Sequence, residues 1–361
     1  MKNRRSLNVA LIFGGKSVEH EVSIMSAKSI FEAIDKNKYQ VFLIGIDKSG
    51  YWRFFEDPKI LEQKSIKPIT KNHNGFLDPN CGKILVDSDV IFPVLHGNYG
   101  EDGSVQGFLK LADIPFVGAG VIGSALGMDK EVQKRLLIQA GIKTAKFLAF
   151  RDYEKSKISF KKTVEDLGLP FFVKPANSGS SVGASKVKNE TDFMPAIKEA
   201  FKYDSKILIE KFINGREIEC SVLGNDNPIA SIPGEVIPNH EFYSYEAKYL
   251  DEKGAILKIP APLNNLTIKK IQEIAVKTFQ VLECSGMGRV DFFLKKDGQV
   301  LVNEINTIPG FTSISMYPKL WEASGSSRAK SRGISYPNLV NRLIDLAIEK
   351  FKKEGKLKTS I

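Results

Sequence analysis

Cysteine is scarce in this chain. Three residues of 361, Cys81, Cys220 and Cys284, are all it has. An odd number at wide spacings gives neither a disulfide framework nor a metal-ligand pattern. A reducing cytoplasm is the expected compartment. No apolar run approaches the roughly 18 residues needed to span a bilayer. The basic start, Met1-Lys2-Asn3-Arg4-Arg5, leads straight into Leu7-Asn8-Val9-Ala10-Leu11-Ile12-Phe13. That run is short and lacks a small-residue cleavage pattern, so no secretory signal is expected. Internal repeats are missing. A basic stripe interleaved with aromatics is missing too, although the net charge is +10. Part of that charge lies in a tail with Lys350, Lys352, Lys353, Lys356 and Lys358. No nucleic-acid or membrane partner is expected. Solvated lysines and an anionic small molecule, such as a nucleotide, account for the balance.

What is present reads as an enzyme of two or three domains. The first third alternates strand and helix. Strands are expected over 7–13, 41–46 and 89–95, with a short one over 115–117. Helices are expected from about His20 and over 106–112, and an irregular stretch from about 47 to 83. Such alternation predicts a parallel sheet wound right-handedly. Its site should lie at the carboxyl ends of the strands, where Gly14-Gly15-Lys16-Ser17 and His96-Gly97 stand. A P-loop is excluded, because the glycine needed five places before Gly15 is Ala10. Glu19 falls nearer the expected cleft than Glu21, which reads as solvated surface.

From Ser124 the pattern changes. One helix is expected to run from there through Lys130 to about Ala140. The strand 171–175 carries Lys174 and feeds Asn177-Ser178-Gly179-Ser180-Ser181-Val182-Gly183. Small residues let backbone N–H groups close around phosphate oxygens; a plain flexible loop is the alternative. The strand 207–213 ends in polar Glu210 and Lys211, and a flat apolar segment there suits an adenine. Strands follow over 217–223 and 229–232. A loop over 238–254, rich in tyrosine and holding Lys248 and Tyr249, reads as an active-site lid. Helices are expected over 268–282 and 336–350.

The strongest local signal is Gly288-Arg289-Val290-Asp291-Phe292-Phe293, followed by Asn303-Glu304-Ile305-Asn306-Thr307. Lys295-Lys296-Asp297-Gly298 between them reads as a hairpin turn. In a strand, residues two apart share a face. Arg289 and Asp291 therefore point one way, as do Glu304 and Asn306. Oxygen donors of this kind suit magnesium, and a neighbouring guanidinium can hold a carboxylate or oxyanion. A solvated hairpin face is the ordinary alternative. Four polar groups converging from two apolar strands weigh against it.

In order along the chain, Lys130, Lys174 with its Gly/Ser loop, Glu210-Lys211, Arg289-Val-Asp291 and Asn-Glu304-Ile-Asn306 resemble the ATP-grasp superfamily. More closely, GGKSVEHEVS, LHGNYGEDGSVQG, KPANSGSSVGASKV, YEAKY and NEINTIPGFTSISMYP resemble the D-alanine–D-alanine ligases of bacterial cell-wall synthesis. The likeness covers about residues 7 to 345. It implies an α/β chain, α+β in its C-terminal part, with the ATP-grasp fold and an N-terminal doubly wound parallel sheet. The division expected is 1–129, 130–217 carrying the phosphate loop, and 218–361 carrying lid and metal site.

The resemblance also implies roles. Lys130 and Lys174 would hold ATP phosphates under Ser180 and Ser181. Glu210, Lys211 and Ile213 would line the adenine pocket, and Glu217 would bind the ribose. Asp291, Glu304 and Asn306 would bind two magnesium ions, for which manganese can substitute. Glu19 would take the ammonium of the first D-alanine, with His96 close by. Arg289 and the backbone of Gly310 would stabilise the oxyanion. Ser315 and Met316 would bind the second D-alanine, and Lys248 and Tyr249 would close over the reaction. Tyr249 in YEAKY accompanies D-alanine as second substrate, in contrast to relatives that make D-alanyl-D-lactate. A homodimer is implied. The alternatives are a D-lactate or D-serine ligase on the same scaffold and a catalytically silent ATP-binding module.

Overall fold

The computed structural model of the chain describes residues 5–68, 76–239, 254–325 and 333–358. Three sheets follow one another along the sequence. The first has the order β3-β2-β1-β4, from β1 (Leu7–Gly14), β2 (Tyr39–Ile46), β3 (Trp52–Phe55) and β4 (Val90–Val94). β1 pairs in parallel with β2 and β4, and β3 is an antiparallel edge. β1 is apolar on both faces because helices cover both: α1 (His20–Ala33) is on one side, and α2 (Pro79–Asp87) and α3 (Ser104–Leu111) are on the other. The order reverses between β1 and β4, so the loops after them open on one crevice.

Three expectations are corrected here. The stretch read as irregular holds β3, a short 3₁₀ turn over Pro58–Glu62, and α2. Asp78, as N-cap, accepts from Cys81 N at 2.9 Å and starts α2 behind a proline. Residues 115–117 make only an isolated bridge, Ile91 to Phe116. The single helix read through Lys130 is two, α4 (Val121–Met128) and α5 (Lys130–Gln139). Asp129 is extended and caps α5, accepting from Glu131 N and Val132 N. An N-cap needs non-helical backbone, so the helix must break there.

The second sheet, order β5-β8-β6-β7, is antiparallel throughout. It is built from β5 (Phe147–Arg151), β6 (Phe171–Pro175), β7 (Ser185–Val187) and β8 (Lys206–Lys211), under α6 (Phe160–Leu167) and α7 (Glu190–Ala200). The third runs β12-β11-β9-β13-β14 with β10 against β9. Its strands are β9 (Gly215–Gly224), β10 (Ile229–Ala230), β11 (Gly234–Pro238), β12 (Ala255–Lys258), β13 (Gly286–Lys295) and β14 (Val300–Asn306). The helix α8 (Asn265–Val281) covers one face.

The last helices return to the beginning. α9 (Met316–Ala323) and α10 (Tyr336–Glu354) follow β14. α10 buries Leu339, Val340, Leu343 and Ile344 completely, in one core with Val9, Leu11 and Phe13 of β1 and Ile24 and Ile30 of α1. The N-terminal sheet is thus closed by the C-terminal helix.

Candidate active site

The hairpin expected from sequence forms, with Arg289 opposite Asn306 and Asp291 opposite Glu304. β9 flanks β13 on its other side and places Glu219 opposite Asp291. Three carboxylates, Glu219, Asp291 and Glu304, therefore stand in a row across three strands. Arg289 lies among them: Nε and Nη2 each donate to Asp291 at 2.7 Å, and Nε lies 2.9 Å from Glu219 Oε2. Asn306 Nδ2 donates to Asp291 at 3.0 Å. Charged, hydrogen-bonded pairs of this kind hold the guanidinium in a fixed orientation.

Beside this row, Lys130 at the start of α5 reaches Glu304 at 3.4 Å and donates to Ser178 O at 2.8 Å. Lys206 of β8 pins that helix start through Asp129 and Glu131, at 2.5 and 2.8 Å. Lys174, from β6, pairs with one oxygen of Glu210 on β8; Lys134, from α5, pairs with the other. Burial works to raise the pKa of Glu210, but the two lysines hold it below the ordinary carboxylate range. Burial works to lower Lys174, yet Glu210 and Glu304 carry it above the ordinary lysine value. For Lys134 burial wins and the shift is downward, against Glu210.

The cleft between them comprises two adjoining cavities. One, of about 300 Å³, is bounded by Lys130, Lys174, Ser180, Ser181, Glu210, Lys211, Ile213 and Glu217. The other, of about 440 Å³, is bounded by Glu19, His96, Arg289, Asp291, Asn306, Gly310, Ser315 and Met316. Ser180, Glu217, Phe293, Asn303 and Glu304 line both. The small-residue loop makes the junction. Asp204 anchors its start by accepting from Asn177 N and Nδ2 at 2.7 and 2.9 Å. Ser180 and Ser181 are both left-handed, at φ 48° and 61°, a conformation uncommon for non-glycine residues and concentrated at ligand-binding loops. Ser180 Oγ donates to Glu19 Oε1, and a Cβ on Gly179 would stand 2.5 Å from Glu19 Oε2. A larger residue there would have to displace that buried carboxylate, so glycine allows the close approach.

The loops after β4 and β14 interlock behind Glu19. Phe311 N donates to Ser26 Oγ at 3.2 Å, and Ser26 Oγ lies 3.2 Å from His96 Nε2. His96 Nδ1 lies 3.0 Å from Ile308 O. A ring that donates from Nδ1 and accepts at Nε2 satisfies both contacts as the neutral imidazole, and burial lowers its pKa accordingly. Glu101 accepts from Gly97 N at 2.8 Å and from Ile308 N at 2.9 Å. Burial, then the nearby Glu19, raises its pKa to about 8 in spite of those donors.

Asp291, Glu304 and Asn306 present three oxygen-bearing side chains on one face, beside a cavity. Magnesium is held by one or two carboxylates, with water and phosphate completing its shell, and the donor set fits that need. Among the described residues no three His, Cys, Asp or Glu side chains close around one point.

Comparisons with known proteins agree with this geometry. Residues 8–119 match the family model for the D-ala D-ala ligase N-terminus, and 136–345 match that for its C-terminus. The chain belongs to the D-alanine–D-alanine ligase family. A D-alanine–D-alanine ligase of Oceanobacillus iheyensis is 52% identical over 366 residues, 98% of each chain. Ligase A of Escherichia coli K12 is 47% identical over 369 residues, 98% of this chain and 99% of that one. Among solved structures, the D-alanine–D-alanine ligase of Coxiella burnetii is 38% identical with a TM-score of 0.82, covering 98% of this chain and 97% of that one. A D-Ala:D-Ser ligase of Enterococcus faecalis is 35% identical with a TM-score of 0.79, covering 95% and 100%. The solved relatives are ligases with the ATP-grasp fold, which is the fold of this chain.

In this ligase every site residue expected from sequence lines the two cavities, except Lys248 and Tyr249, which lie outside the described residues. Sequence reasoning missed four residues that the geometry brings in, three that line the cavities and Lys134, which holds Glu210 from outside them. Glu219 shares a face with Glu217 two places before it, a signal that was there to use. Asn303 joins the site because the register slips between Asp291 and Phe292. Such a bulge places one extra residue on β14, and two adjacent polar residues in an alternating strand mark it. Glu101 and Lys134 carried no local signal.

Proposed function

We propose that this chain joins two D-alanines at the expense of ATP, through an acyl phosphate. The observation that carries this reading is the row Glu219, Asp291 and Glu304 with Arg289, facing Lys130 and Lys174 across a shared cleft. The adenine would lie against Glu210, Lys211 and Ile213, the ribose against Glu217, and the phosphates under Ser180 and Ser181. Glu19, held by Ser180, would take the first D-alanine's ammonium, with neutral His96 behind it. That aims its carboxylate at the γ-phosphoryl group. Two anions must meet there, so Lys130, Lys174 and Arg289 lower their repulsion. Magnesium, two ions in this reading, would be held by Asp291, Glu304 and Asn306 and would supply further neutralisation of the phosphate oxygens.

The first D-alanine's carboxylate takes the γ-phosphoryl group and ADP leaves. The second D-alanine, placed by Ser315 and Met316, then attacks the acyl carbon as the neutral amine. As the C–N bond forms the C–O bond to phosphate breaks, phosphate departing with the amine's surplus proton. Arg289 and Gly310 N–H would face the oxyanion formed on the way. Acyl phosphates hydrolyse, so water must be excluded; on the family resemblance that task falls to Lys248 and Tyr249. The reading keeps the units 1–129, 130–217 and 218–361, with the reaction between them. It also takes the enzyme as cytoplasmic and homodimeric. No helix among the described residues is long and apolar enough to cross a membrane.

Phosphate release across a panel of D- and L-amino acids and D-hydroxy acids tests this function. Release is expected only with ATP, magnesium and D-alanine together. Equal release with L-alanine contradicts it, and preference for D-serine or D-lactate as second substrate moves the chain to the alternative ligases.

A further inference from the structure

Lys134 is a basic side chain, fully buried and outside both cavities. Its ammonium pairs with Glu210 Oε1 and donates to Asn303 O at 3.1 Å. That carbonyl belongs to the extra residue of the bulge, which leaves ladder pairing incomplete. Lys134 thus ties β8 to β14 and has no path to the cleft. Lys174 pairs with the other oxygen of Glu210, but its side chain keeps 15% exposure and lines the nucleotide-side cavity. One buried carboxylate therefore has two cations of unlike freedom. One is locked in the interior, and the other borders the space where phosphate is expected.

A buried carboxylate that loses its counter-ion is strongly destabilised. Were Lys174 the sole partner of Glu210, moving toward a phosphate would strand that charge. We propose that Lys134 is a positioning residue that acts through Glu210: as its permanent counter-ion, it lets Lys174 commit its charge to ATP. The proposal rests on the reading of Lys174 as a phosphate-binding lysine. It also gives the pair Glu210 and Lys134 an electrostatic task distinct from shaping the adenine pocket. Lys134 touches neither nucleotide nor amino acid, so its removal should act on ATP and spare D-alanine.

The test compares Lys134→Met, Glu210→Gln, the double variant and Lys174→Met with the unmodified enzyme, reading KM for ATP, KM for D-alanine and kcat. Lys134→Met should raise KM for ATP by about tenfold or more while KM for D-alanine stays within about threefold. Once Glu210 is neutral, Lys134 has no charge to balance. The double variant should then match Glu210→Gln within about threefold in KM for ATP. A Lys134→Met enzyme with unchanged KM for ATP overturns the proposal. So does a double variant about tenfold worse than Glu210→Gln, a comparison that decides the matter even if Lys134→Met alone does not fold. Lys174→Met with unchanged KM for ATP would instead remove the underlying reading of Lys174.

Discussion

Glu101 sets two physical effects against each other. Its carboxyl accepts from two backbone N–H groups, which favours the ionised form, yet burial and Glu19 outweigh them and raise its pKa from 4.5 to about 8. Below pH 4.5 the group is protonated whether the chain is folded or not. Between 4.5 and 8 the unfolded chain ionises while the folded one keeps its proton. Glu101 therefore costs stability progressively as pH rises through that window, and the loss levels off above it. Glu101→Gln cannot titrate. It loses one acceptor, a penalty that is the same at every pH. The difference in melting temperature, variant minus unmodified, should become more positive between pH 5 and pH 8, by about 2 °C or more; a difference independent of pH contradicts this. Nothing in the sequence around Glu101 announces its burial, because its partners are the backbone of Gly97 and of Ile308, 207 positions away. Glu19, Arg289 and Asp291 were legible for the opposite reason: local alternation and motif order fix which way each points.

Among the elements, the β13–β14 hairpin followed the alternation rule as far as Asp291 and Glu304 and departed from it at Asn303. Turn chemistry and face are local properties, whereas a bulge depends on what each strand packs against. The α4–α5 pair shows the same division. Helical character was readable over the whole run, but the break at Asp129 depends on a cap and on Lys206 from another sheet. The break lets α4 lie against the end of β14. A Cβ on Gly127 would sit 2.6 Å from Thr307 Cγ2, and Thr307 is buried with nowhere to move. Gly127→Ala should thus lower stability by about 1–3 kcal/mol, despite alanine's better helix propensity. Thr307→Ser, which deletes the opposing methyl, should recover most of the loss. A stabilising Gly127→Ala in thermal denaturation would show that the contact is not tight.

At the scale of the molecule, three sheets converge on one cleft, and α10 closes the circle by completing the core of the first. Leu343 is fully buried there, with β1 and α1. Leu343→Ala should cost about 2–5 kcal/mol and lower the melting temperature of the transition that includes the N-terminal sheet. An unchanged melting profile would mean that this sheet does not depend on α10. The long-range return of α10 could not be read from its amphipathic pattern, which gives a buried face but no partner. The convergence itself is what the family resemblance implies, since it gives residues from Glu19 to Met316 roles in one reaction. Glu304 lies at the junction of the two cavities, opposite Asp291 and beside Lys130. The most direct measurement is phosphate release by Glu304→Gln as magnesium and D-alanine are varied. On the proposed function Glu304 would hold magnesium, and an amide lacks the charge of that carboxylate, so the rate should fall by about 100-fold or more without loss of fold. A Glu304→Gln enzyme that releases phosphate at the unmodified rate, with the same magnesium dependence, would contradict the account.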